Sequence, residues 1–100
     1  MNKSERIRLL SELKQTLLYI LHYCELSPCQ YYVYDLYDEF KCISYICNML
    51  QDDEINSEIG YADNSDDELI NGIRDNKEVD IIRDVIHRNV KIIESRLENE

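Results

Sequence analysis

From Cys29 to Leu50 the chain runs without a glycine or proline, and its apolar residues recur three and four apart. Val33, Leu36, Phe40, Ile43, Cys47 and Leu50 therefore share one face of a 3.6-residue turn, and the stretch 28–50 reads as one long helix. Its start is marked. Ser27 serves as a cap, Pro28 suits the first helical position, and Gln30 completes a capping box. The opposite side carries Tyr31, Tyr34, Asp38, Cys42, Tyr45 and Met49. A surface helix is polar there. Aromatic and sulfur side chains nearly all round require helices packed on both faces, or a partner on the second.

The same periodicity sets the rest. A first helix over 4–25, with Ser4 as its cap, has the stripe Leu10, Leu13, Leu17, Ile20 and Cys24, widened by Leu9, Leu18 and Leu21. Only Leu26 and Ser27 link it to the next helix, which predicts a tight antiparallel hairpin. A last helix over 77–98, capped by Asp75 or Asn76, has the stripe Ile82, Ile86, Asn89, Ile93 and Leu97, flanked by Val79, Val85, Val90 and Arg96. Ser65 and Glu68 cap a short helix over 66–73, with Leu69, Ile70 and Ile73 facing inward. Two glycines and one proline are too few for the many turns of an all-β fold. The expectation is an all-α fold: one domain over 1–100, a small bundle of three long helices and one short one.

Charge is unevenly placed. Asp52, Asp53, Glu54, Glu58, Asp63, Asp66, Asp67 and Glu68 put eight acids and no lysine or arginine into 51–68, which leaves −2 of the net −10 for the other residues. An acidic loop over 51–65 is expected, turning at Gly60 and anchored by Ile55, Ile59 and Tyr61. The acidic field repels nucleic acid and anionic membranes and favours a basic protein partner, or mimicry of nucleic acid. The plainer reading is that the charge gives solubility. The apolar run after Lys3, Arg6 and Arg8 is broken by Ser11, Glu12, Lys14 and Gln15, so neither a signal sequence nor a spanning helix is expected. A cytoplasmic location follows, or the host cytosol for a virus- or phage-encoded chain.

Few residues suggest chemistry. Cys24, Cys29, Cys42 and Cys47 read as free thiols, although Cys24 and Cys29 flank the hairpin closely enough to bridge. His22, Cys24 and Cys29 fall short of the four spaced ligands of a zinc site. The run starting at Asp63 has Glu68 where a calcium loop needs glycine and Arg74 where it needs glutamate. There is no Gly-rich phosphate loop, no serine elbow and no H-E-x-x-H. His22 and Cys24 point about 200° apart on a helix. His87, one turn after Arg83, reads as a partly exposed helix residue. No catalytic set, metal or cofactor is expected.

Two binding surfaces stand out. One is the acidic segment, with Asp35, Asp38 and Glu39 nearby on the second helix. The other is the face of Tyr31, Tyr34 and Tyr45 with Asp38 between them, which combines contact area with polar tips as interface hot spots do. Burial under another helix, hydroxyls outward, is the competing reading. Together they predict a small protein-binding module that masks a basic surface on a nuclease, toxin or nucleic-acid-binding protein. The alternative is a self-associating subunit that dimerises through 28–50. In size, charge and residue type the surface is similar to that of the small acidic helical immunity proteins that neutralise nuclease bacteriocins. Small phage- or virus-encoded inhibitors of host defence share the same character. Tyr31-Tyr32 lacks a following proline and lies on a predicted helix, so no residue role is carried over.

Overall fold

A computed structural model describes residues 1–26, 36–55 and 79–100. They form three helices: α1 (Lys3–Leu26), α2 (Tyr37–Leu50) and α3 (Val79–Glu98). No strand occurs among the described residues, in keeping with an all-α fold. The helix expected over 28–50 is not continuous: the chain leaves helical geometry at Leu36 (φ −105°, ψ 19°), which caps α2 without a side-chain bond, and the helix runs only from Tyr37. The expected start at Ser27, Pro28 and Gln30 lies outside the described residues. So do the hairpin link, the short helix over 66–73 and the cap at Asp75 or Asn76.

α1 is capped two residues earlier than its sequence suggests. Asn2, not Ser4, does the work: its Oδ1 accepts the Glu5 backbone N–H at 2.8 Å, and its Nδ2 donates to Glu5 Oε1 at 3.4 Å. This is reciprocal capping, with Asn2 and Glu5 three apart. α2 ends at Gln51, which takes the left-handed conformation (φ 50°, ψ 43°) and donates its backbone N–H to the Cys47 carbonyl at 3.0 Å. Such a residue commonly closes a helix, and usually it is glycine. The next residues differ from the irregular loop expected at 51. Asp52 Oδ1 accepts the backbone N–H groups of Glu54 and Ile55, a helical turn forms over 53–55, and Ile55 is fully buried.

The core is the union of the predicted stripes, with three adjustments. Leu10, Leu13, Leu17 and Ile20 of α1 have no exposed surface, and they meet Leu36, Phe40, Ile43 and Cys47 around α2 and Ile82, Ile86 and Ile93 of α3. Ile46 joins them from α2. Leu18, expected to widen the α1 stripe, is exposed, because it sits near the rim farthest from the stripe centre. Leu97 packs at the edge, only partly buried. Asn89 is fully buried in the apolar stripe of α3, and its Nδ2 donates to the Val85 carbonyl at 2.8 Å, one turn back.

Among the described helices α1 is central, packing against both α2 and α3. Three ion pairs orient α1 and α3. Arg6 meets Glu100, Lys14 meets Glu94 at 3.8 Å, and Glu25 meets Arg83 at 3.7 Å. Rising numbers on one helix pair with falling numbers on the other, so the two run antiparallel.

Candidate functional site

The predicted partner-binding residues that fall within the described part divide into two groups. Asp52, Asp53 and Glu54 follow α2. Asp38 and Tyr45 lie on α2 itself. Glu58, Asp63, Asp66, Asp67, Glu68, Tyr31 and Tyr34 lie outside the described residues.

The first group is tied to the fold as well as charged. Arg96 Nε donates to Asp52 Oδ2 at 2.9 Å, and its Nη2 donates to Glu54 Oε1 at 2.6 Å. Arg96 thus fastens the end of α2 to the last turns of α3. The Asp52 side chain is only 11 % exposed, whereas Asp53 is open to solvent. Partial burial pushes the Asp52 carboxyl up. The hydrogen bond from Arg96, the Ile55 and Glu54 amides and the Arg96 charge outweigh it and hold the group below the usual aspartate range. The same two carboxylates hold the Arg96 guanidinium in its charged form. Asp52 therefore has an anchoring role that the sequence reading did not assign, and Asp53 is the carboxylate best placed to meet a partner.

The second group faces outward. Asp38, Cys42, Tyr45 and Met49 follow each other four, three and four apart, so they share one face of α2. Asp38, Tyr45 and Met49 are exposed, Tyr45 at 59 %. Cys42 is where this face borders α1, its Sγ 3.8 Å from Thr16 Oγ1. Thr16 also donates to the Glu12 carbonyl at 2.8 Å, which fixes its rotamer.

Beside this contact an open groove of about 350 Å³ runs between α1 and α2. Among the described residues it is lined by Gln15, Thr16, Tyr19 and Glu39. Tyr19 is half exposed. One carboxylate oxygen of Glu39, Oε2, is shielded from solvent and has no hydrogen-bond donor among the described residues. On the other side of α2, two residues to either side of Glu39, the Lys41 ammonium lies 4.8 Å from the centre of the Tyr37 ring. The sequence reading named Glu39 only in passing and omitted Tyr19. The signal for Tyr19 was its position: an aromatic residue off the α1 stripe, three residues after Thr16 on the flank that meets α2.

Cys24 and Cys47 are buried thiols and Cys42 is a partly exposed one, and none of the three is in a disulfide. Burial, then the neighbouring Glu25 charge, pushes Cys24 up to about 11, which leaves its thiol protonated and unreactive at neutral pH. His22 is exposed while Cys24 is buried, so the two do not converge. Cys29 lies outside the described residues. No group of three metal-ligating side chains occurs among the described residues. No helix there is long and apolar enough to cross a membrane. No protein-family model, curated protein or solved structure matches the chain.

Proposed function

We propose that the protein is a non-enzymatic binding module that covers a basic surface on another protein, such as a nuclease, a toxin or a nucleic-acid-binding protein. The supporting observation is the outward face of α2, where Asp38, Tyr45 and Met49 are exposed beside the start of the acidic segment. Exposed tyrosine and methionine supply contact area, and clustered carboxylates accelerate association with a cationic partner. The fold that carries this reading is the four-helix bundle with its tight first hairpin. The partner would be met by the acids of 51–68, by Asp38 and Tyr45, and by Tyr31 and Tyr34, in the cytoplasm of the cell that makes the protein or of its host.

The test is a pull-down at low and moderate salt, followed by titration of the purified captured protein. The comparison variant replaces Asp53, Glu58, Asp66, Asp67 and Glu68 by their amides and leaves Asp52 and Glu54 in place, since Arg96 needs both. The expected result is a basic protein bound by wild type, with the variant weaker and less salt-sensitive. Unchanged affinity and an unchanged salt slope would overturn the electrostatic reading.

Tyr45 and Met49 also favour a second reading, self-association through α2. Here Tyr45→Ala with Tyr34→Ala gives a folded monomer from a larger assembly. A wild type that scatters light as a monomer at high micromolar concentration removes this reading.

A further inference from the structure

We propose that the groove between α1 and α2 receives one cationic side chain, arginine or lysine, from the basic partner; the inference rests on the reading of that partner as basic. The groove is the meeting place of three independent features. Its volume, about 350 Å³, sits at the low end of the roughly 300–1,000 Å³ usual for small-ligand sites, which suits one long side chain rather than a peptide. Its lining includes Glu39, whose Oε2 is shielded from solvent and has no hydrogen-bond donor among the described residues. A buried carboxylate oxygen without a donor is costly, and the charge of a cation seated in the groove beside Glu39 offsets that cost without touching the shielded oxygen. Its rim holds the half-exposed Tyr19 ring, on which an aliphatic stem or a guanidinium plane packs. The same protein shows this chemistry nearby, with Lys41 over Tyr37.

None of the ion pairs found among the described residues involves Glu39, although Arg6, Arg8, Lys14, Arg83 and Arg96 all have carboxylate partners. Glu39 is thus a half-buried acid whose counterion is not supplied by these cations. Gln15 and the Thr16 hydroxyl add polar atoms without adding positive charge, so nothing in the described lining repels a cation. Glu39 is the charged anchor, Tyr19 the packing surface and Gln15 an adaptable polar contact.

The experiment titrates the isotope-labelled full chain with acetyl-Gly-Arg-Gly-amide and follows backbone amide shifts. The control is the same peptide with neutral citrulline for arginine. The expected result is a saturable response at residues 15–19 and 38–42 for the arginine peptide and none for citrulline. Glu39→Gln should weaken binding about tenfold while keeping the helical spectrum. Tyr19→Ala, at an exposed position, should weaken it less. Equal responses to both peptides would overturn the proposal, as would a Glu39→Gln variant that binds like wild type or shifts confined to the acidic segment. The amide-substituted acidic variant separates the two readings. An arginine response that survives in it supports the groove even if no basic partner is captured. A captured partner with no arginine response sinks the groove alone.

Discussion

α1 meets its two neighbours in different ways. Against α3 it is sutured along its length, with Arg6–Glu100 near one end, Lys14–Glu94 in the middle and Glu25–Arg83 at the other. Against α2 Thr16 meets Cys42 in a weak polar contact, no ion pair joins the two helices among the described residues, and beside that contact the surfaces part to leave a groove. Apolar burial is strong on both sides, with Ile43 and Ile86 both at or near zero exposure. The difference lies at the rims. Charge pairs draw the rims of the α1–α3 seam together, whereas the described rim of the α1–α2 seam has none and stays open beside Thr16. The interface that contributes less polar register is the one with surface to offer.

The largest effects should come from the shared floor. Leu13→Ala removes a fully buried side chain of the central helix, and Ile43→Ala and Ile86→Ala do so on one seam each. Each should cost about 2–5 kcal/mol in denaturant unfolding. If the seams differ as described, hydrogen exchange in Ile43→Ala should rise in α2 before α3, and uniform exchange would break the comparison.

Next comes the Arg96 clamp, which joins α2 to α3. Asp52→Ala removes the Arg96 partner and the acceptor for two backbone amides, and should cost about 1–3 kcal/mol. Its pH signature has a definite sign. The folded carboxyl lies below its unfolded value, about 3.9, so its contribution is complete above that pH and is lost as pH falls through the lower folded value. The gap between wild type and Asp52→Asn should therefore close on acidification. A gap that widens in acid would contradict the clamp.

Smaller still are the rim charges on the α1–α3 seam. Glu94→Gln or Glu25→Gln should change stability by at most about 1 kcal/mol, and the change should shrink in salt. The least energetic test is chemical. Cys42 should be alkylated well before Cys24 and Cys47, which should react only on unfolding.

The core was largely legible because helical spacing reports burial directly. Every predicted stripe residue of α1, including Cys24, is buried, as are Leu36, Phe40, Ile43, Cys47 and Leu50. The reading erred where pattern does not determine the winner. Ser4 and Asn2 are both good caps, and the choice between them depends on which one has Glu5 three residues ahead. Leu18 lies about 120° round from the stripe centre, twice as far as the buried Leu9 and Leu21, so hydrophobicity alone misplaced it. The site was less legible. Asp52 looked like one acid among eight, because its partner Arg96 is 44 residues away and no local spacing joins them. Glu39 and Tyr19 come from different helices and share only the lining of one groove, so no local spacing joins them in the sequence.

Asn89 has a consequence for the alternatives that the chain rejects. A helix striped only with isoleucine and valine can slide a turn along its neighbour and bury nearly as much. The Asn89 bond to the Val85 carbonyl lies within α3 and travels with it, so what changes in a slid arrangement is the slot offered to the rest of a fully buried amide, and an apolar slot makes that slide costly. Asn89 adds little to the depth of the native well. Its expected effect is to raise the neighbouring wells, and Asn89→Leu should leave stability near wild type while broadening the amide spectrum of α3.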